Sequence, residues 1–294
     1  MASPSVTYPL TALISDLHSN VPALETAIID ALERGARRFV CLGDVVGYGA
    51  EPRLCLDWVQ ELTAEDARVP AVLANRLAVP VELVGGRCLL GNHEEALLGT
   101  PEDFNPKARA AIEWTRDELG HGSRADAERY FDFLGELQPA GSDSVAQFAH
   151  GSPRDPVREY VIPRDSQDPE KLAGLFAPMD HGVCFIGHSH VPAVYYENGR
   201  IYLPKIGAGD EVAGPFSLGV PGPGVLDPER PRAIVNVGSV GQPRDGDPRL
   251  SYVLFDGANI TFVRLDYDID AAAERIRAVP ELPEYLAERL FRGR

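Results

Sequence analysis

Short apolar runs that stop at a glycine, a serine or a charge recur along the chain: "LTALIS" (10–15), "RFVCLG" (38–43), "CLLG" (88–91), "SVAQFA" (144–149), "VCFIG" (183–187), "AIVNVG" (233–238) and "YVLFD" (252–256). They are too short for buried helices and rich in β-branched and aromatic residues, so they read as strands buried on both faces. After the first run, "NVPALETAIIDALERGA" puts Leu24, Ala27, Ile28, Ala31 and Leu32 on one face, with Asn20 as N-cap, Pro22 in the first turn and Gly35 as the stop. That predicts a β-α-β opening. Segment 51–87 reads as interrupted helices, 106–138 as two helices parted by "GHGS", and the tail after Tyr267 as helical with a break near Pro280 and Pro283. The Gly- and Pro-rich stretch 207–232 has no period and reads as a long loop that could border a site. No linker or repeat interrupts this pattern. The expectation is one domain over residues 1–294, with helical insertions about 51–87 and 95–140 and a helical tail.

The polar residues behind the runs are more specific than the runs themselves. Asp16 and His18 stand behind the first, Asp44 behind the second, Asn92, His93 and Glu94 behind the third, His150 behind the fourth, and His188 and His190 behind the fifth. In α/β sheets the carboxyl ends of strands are where ligand sites gather. Five of the seven histidines stand in these positions, leaving His121 and His181 elsewhere. Asp, His and Asn without Cys are O and N donors suited to Mn, Fe, Zn, Ni or Co. Asp16, His18, Asp44, Asn92, His150, His188 and His190 are more donors than one ion needs, which suits two divalent cations sharing a carboxylate.

Composition narrows the partners. A formal net charge of −16, with no Lys/Arg cluster, argues against a nucleic-acid-binding surface. No apolar run approaches the roughly 18 residues that span a bilayer. The N-terminus lacks a basic region followed by an apolar stretch and cleavage site, so a soluble cytoplasmic protein is expected. Cys41, Cys55, Cys88 and Cys184 form no CxxC pair and are expected to be free thiols, mostly buried. An exposed apolar face on the helices of 106–138 would point to a homodimer.

The blocks "DLH" (16–18), "GD" (43–44), "GNHE" (91–94), "HG" (150–151) and "GHSH" (187–190) stand in the order D-x-H, G-D, G-N-H-(D/E), H, G-H-x-H. In this the chain resembles the calcineurin-like metallophosphoesterase superfamily. "LGDVVGYGAEP", "HGSPRDPVREYV" and "VNVGSVGQPRDGDPR" are similar to a bacterial and archaeal branch of small cytoplasmic members. The resemblance implies an α/β fold, a four-layer αββα sandwich of two mixed β-sheets with a dimetal site at strand C-terminal ends. It implies that Asp16, His18, Asp44 and His190 hold one metal ion, that Asp44, Asn92, His150 and His188 hold the other, and that Asp44 bridges. It further implies that His93 faces the substrate as proton donor to the leaving oxygen, with Glu94 orienting or charging it. Gly47 and Tyr48 stand where the protein-phosphatase branch carries an Asp-Arg pair, which counts against a serine/threonine phosphatase.

The implied activity is hydrolysis of small phosphomono- or phosphodiesters, nucleotides among them, by in-line attack of a hydroxide bridging two divalent ions about 3.5–4 Å apart. A small phosphorylated molecule approaching so acidic a protein needs local positive charge. Arg154, Arg244 and, less directly, Lys205 are candidates, each with the alternative of fixing a loop by pairing with a nearby Asp. The segment "NVGSVGQ" (236–242), with Ser239 at its centre, could offer N–H groups to a phosphate or simply turn. Tyr48 could stack on a base or pack. Two alternatives share this sequence: a dinucleoside polyphosphate hydrolase of the diadenosine tetraphosphate type, with the same centre and a different pocket, and a non-catalytic metal-binding scaffold.

Overall fold

The computed structural model describes residues 8–102, 104–220 and 229–294. Twelve strands occur among them: β1 (Thr11–Ile14), β2 (Arg38–Cys41), β3 (Arg87–Cys88), β4 (Ala140–Ser142), β5 (Gln147–Ala149), β6 (Val183–Ile186), β7 (Ala193–Tyr196), β8 (Ile201–Tyr202), β9 (Val212–Ser217), β10 (Ala233–Asn236), β11 (Leu250–Phe255) and β12 (Asn259–Leu265). They form two six-stranded mixed sheets, ordered β3-β2-β1-β11-β12-β9 and β4-β5-β6-β10-β7-β8. In the first, β1 runs parallel to β2 and antiparallel to β11; in the second, β10 runs parallel to β6 and antiparallel to β7.

Alternation along each strand builds the layers. Leu13, Val40, Phe185, Val235, Val253 and Phe255 point between the sheets into one shared core. Their neighbours Ala12, Ile14, Phe39 and Cys41 face outward to α1 (Val21–Glu33) and α2 (Pro52–Thr63). On the other side Cys184, Ile186, Tyr195 and Ile234 pack on Leu172, Leu175 and Phe176. The result is the αββα sandwich implied by the resemblance. Because both faces of β1, β6 and β10 are buried, apolar runs there show no alternation of polarity.

The helix after β1 starts as its cap predicts, with Asn20 Oδ1 accepting the Ala23 N–H at 3.2 Å. After α2 come a single short turn, α3 (Ala71–Ala74), and α4 (Asn92–Leu98); α5 (Pro106–Gly120) and α6 (Arg124–Glu136) complete the helical insertions. Beyond α7 (Pro169–Phe176) the chain returns to the sheets and closes with α8 (Ile269–Arg277) and α9 (Glu284–Glu288). The stretch expected as a loop at 207–232 is not one throughout. Residues 212–217 form β9, an edge strand antiparallel to β12, whose exposed positions and Pro215 removed any strand pattern from the sequence. Residues 221–228 of that stretch, and residues 1–7 of the N-terminus, lie outside the described residues. All four cysteines are free, three of them buried, and no helix among the described residues is long and apolar enough to cross a membrane.

Phe185 is fully buried between the sheets, its ring 4.9 Å from Phe255 and 6.2 Å from Phe148. Phe185→Ala is expected to lower unfolding free energy by about 3–5 kcal/mol in denaturant titration. Val72→Ala, at a position 62% exposed, should stay within about 0.5 kcal/mol of wild type.

Candidate metal centre

The loops leaving β1, β2, β5, β6 and β10 meet at one end of the sandwich and are stitched by main-chain hydrogen bonds. Asp16 N donates to Gly43 O at 3.0 Å, His18 N to Asp44 O at 3.0 Å, Gly187 N to His150 O at 2.9 Å, and Gly241 N to Asp16 O at 2.9 Å. The last of these ties one sheet to the other. Two glycines allow the loops to come this close. A Cβ on Gly187 would collide with Ser15 Oγ and Asp16 Oδ2, and one on Gly91 with the Asp44 carboxylate.

Among the described residues, the non-glycine positions with left-handed φ are Asp16, His18, Ser19, Asp44, Tyr48, His188 and His190, with φ from 46 to 63°. Such geometry costs roughly 1–2 kcal/mol per residue. Every one of these positions lies at or beside this end of the sheets, and five are expected ligands. No sequence pattern announces this.

Asp16, His18, Asp44 and His190 bring ligand atoms within 4.8 Å of one another, and Asp44, His150 and His188 do the same, so Asp44 belongs to both groups. All six are buried. Asn92, at the first turn of α4, places Oδ1 3.1 Å from His150 Nε2. Expected ligands from five strand ends are therefore in one cluster.

The imidazoles are held from behind. His18 Nδ1 faces Val46 O at 3.1 Å, His150 Nδ1 faces Leu42 O at 3.2 Å, His190 Nδ1 faces Gln242 O at 2.5 Å, and His188 Nε2 faces Arg158 O at 3.1 Å. A carbonyl only accepts, so each of these nitrogens carries the proton and the other turns a lone pair inward. Those inward nitrogens are close: His18 Nε2 to His190 Nε2 is 3.3 Å, and His150 Nε2 to His188 Nδ1 is 3.0 Å. Asp16 Oδ1, buried, accepts no hydrogen bond, and lies 3.1 Å from His190 Nε2. Facing lone pairs and an orphaned carboxylate oxygen repel unless a positive charge stands among them. The residues present fit divalent cations.

The charge balance agrees. Burial pushes His18, His188 and His190 down, His188 to about 3. Burial opposes ionisation of Asp16 and Asp44, but His190 beside Asp16 and His150 beside Asp44 hold both below the usual carboxylate range. Against its own burial, His150 is pushed up to about 9 by Asp44, whose Oδ2 is 3.4 Å away.

His93 lies beside this cluster. Its N–H donates to Asp44 Oδ1 at 2.9 Å, its Nε2 is 4.0 Å from Asp44 Oδ2, and its ring packs between Tyr48 and Phe104 at 4.6 and 5.0 Å. Its Nδ1 is buried without a hydrogen-bond partner against Gly47, where any Cβ would collide with it. Gly47, read in the sequence only as a departure, makes room for this ring. Burial pushes the imidazole down to about 4.

Several expected contacts are corrected. Glu94 makes no hydrogen bond to His93: its carboxylate accepts N–H groups of Asp44 at 2.8 Å, Val46 at 3.1 Å and Gly91 at 2.9 Å. It braces the loop that carries Asp44. Burial and the Asp44 charge push it up to about 7, against those three donors. Ser239 is fully buried below the site, donating to Asp16 O at 2.8 Å and accepting from Gln242 N at 2.7 Å, so it fixes a loop. Arg154 pairs with Glu159 at 2.6 Å and does not line the cavity over the cluster, and neither does Lys205.

That cavity holds about 390 Å³, with Asp44, Asn92, His188 and His190 on its floor. Arg244 and Tyr48, both candidates for substrate contact, line it. Tyr160, Arg158 and Phe104 line it as well and were not anticipated. Tyr160 stacks on His188 at 3.8 Å. The available signal was the block "HGSPRDPVREYV", which contains both Arg158 and Tyr160 but spaces them like any loop.

Residues 10–192 match the calcineurin-like phosphoesterase family. An uncharacterized protein of Methanocaldococcus jannaschii is 33% identical over 97% of this chain and 98% of its own length. The crystal structure of a metallophosphoesterase from Sphaerobacter thermophilus, 31% identical, is similar with a TM-score of 0.68 over 98% of this chain and 100% of that one. A hypothetical protein of Pyrococcus horikoshii, 17% identical, shares the fold with a TM-score of 0.67 over 97% and 98% of the two chains. The match spans every strand end that contributes a ligand atom to the cluster, and the chain belongs to the calcineurin-like phosphoesterase family.

Proposed function

We propose that this chain is a metal-dependent phosphoesterase that hydrolyses small phosphomono- or phosphodiesters at a centre of two divalent cations. The observation that carries the reading is Asp44, common to two buried groups of ligand atoms whose lone pairs converge. Asp16, His18, Asp44 and His190 would hold one cation, and Asp44, Asn92, His150 and His188 the other. Two such ions, when bound, supply Lewis acidity that activates water at neutral pH and neutralises phosphoryl charge.

The remaining work falls to side chains around the cavity. Arg244 sets a guanidinium in its wall and Arg158 a second, paired with Glu95 at 2.8 Å, so an anion meets local positive charge despite the acidic chain. Tyr48, Phe104 and Tyr160 give the organic part of an ester an aromatic wall. His93 is neutral near pH 7 in the free protein, and an entering phosphoester dianion favours its protonated form. From Nε2, the nitrogen facing the cluster, it would deliver a proton to the leaving oxygen, a role typically worth 10²- to 10⁴-fold in rate.

Turnover of p-nitrophenyl phosphate and bis-p-nitrophenyl phosphate with added Mn²⁺ tests the reading. Dialysis against a chelator should abolish turnover and Mn²⁺ should restore it; turnover indifferent to chelation contradicts the reading. His93→Ala should retain metal by elemental analysis and lose about 10²-fold or more in kcat. Release of metal by that variant would make His93 a ligand instead. Glu94→Ala should lower the thermal midpoint of the metal-free protein, at a cost of about 1–3 kcal/mol, because three buried N–H groups lose their acceptor. An unchanged midpoint would remove the bracing role.

A further inference from the structure

Beside the cavity over the cluster lies a second chamber of about 360 Å³. Tyr48, Asn105, Tyr160 and Arg244 line both, so the two are neighbours across a shared wall. The far side comes from the start of α5 and from α9, and it brings Lys107, Tyr285 and Arg289. Lys107 Nζ stands 3.8 Å from the centre of the Tyr285 ring. The Arg289 guanidinium lies 5.4 Å from the Tyr285 ring and 5.7 Å from that of Tyr48, and Arg244 is also 5.7 Å from Tyr48.

Two of these cations lack anionic partners. Among the described residues no ion pair reaches Lys107 or Arg244. Arg244 donates to the neutral Gln242 Oε1 at 2.8 Å and leaves a buried Nε unpartnered, while Arg289 Nε donates to Arg294 O at 2.5 Å. The chain has 44 Asp and Glu against 28 Lys and Arg, so acidic partners are abundant elsewhere. Burial first, and the nearby Arg244 guanidinium second, push Arg289 down from its ordinary value, so the two like charges repel. An anion between them would relieve that repulsion and take up the free N–H of Arg244.

We infer that this chamber is a second anion subsite: the substrate carries, besides the ester group at the metal centre, a second phosphate-sized anionic group, with its organic part lying along Tyr48 and Tyr285. This rests on the phosphoesterase reading for the identity of the first group. The specificity-determining residues would be Lys107, Arg244 and Arg289. A simple aryl phosphate would fill only the first cavity.

Calorimetric titration of the Mn²⁺-supplemented protein with adenosine 5′-monophosphate and adenosine 3′,5′-bisphosphate compares probes that differ by one phosphate. The bisphosphate is expected to bind about tenfold tighter to wild type or better. Lys107→Gln and Arg289→Gln should each reduce that ratio to about threefold or less. Lys107 is exposed, so its substitution leaves the core intact if Arg289→Gln fails to fold. Equal affinities in wild type, or a ratio that survives the substitutions, would overturn the inference. Wild-type turnover of p-nitrophenyl phosphate on the same sample reads the other claim separately. A tenfold ratio in wild type that falls in the variants, without turnover, would support the anion subsite and remove the phosphoesterase.

Discussion

The Asp44 carboxylate is the interaction on which the rest of this structure depends. Oδ1 accepts the His93 N–H, and Oδ2 stands 3.4 Å from His150 and 3.8 Å from His18. The residue itself sits at φ 53°, held there by Glu94 from one side and by the backbone pairing of His18 with Asp44 O from the other. One side chain thus touches or faces groups from three other loops. Removing its charge would leave buried imidazoles with nothing to converge on.

Holding such a centre is unfavourable by itself. Strained φ values, two buried carboxylates and lone pairs facing one another all oppose it, and a loop alone would relax out of that arrangement. The two sheets prevent relaxation. Their shared core fixes the ends of β1, β2, β6 and β10 relative to one another, and the hydrogen bond from Gly241 to Asp16 O locks the sheets at the point where the strain lies. Cations supplying the missing positive charge would turn the same crowding into stabilisation.

The strands near the centre were legible in the sequence because burial on both faces makes them short, continuous apolar runs. The polar residues behind them were legible because chemistry needs specific donors. Asp16, His18, Asp44, Asn92, His150, His188 and His190 meet in space as their strand-end positions suggested. The features that stayed hidden depend on distance across the fold. Glu94 looked like a partner for the neighbouring His93, yet it reaches back to the amides of Asp44 and Val46, a connection that only the turn between β3 and α4 creates. Arg154 stood in a suggestive block but pairs with nearby Glu159, and Ser239 in another donates across the fold to Asp16 O. Arg289 and Tyr285 reach the cavity wall from the far end of the chain, and β9 has no alternation to betray it.

The most direct test is anomalous diffraction from crystals grown with Mn²⁺. Two peaks about 3.5–4 Å apart, one beside Asp16 and His190, one beside His150 and His188, with the Asp44 carboxylate between them, are the result that the shared ligand predicts. A single peak, or peaks remote from Asp44, would contradict a dinuclear centre built on that residue.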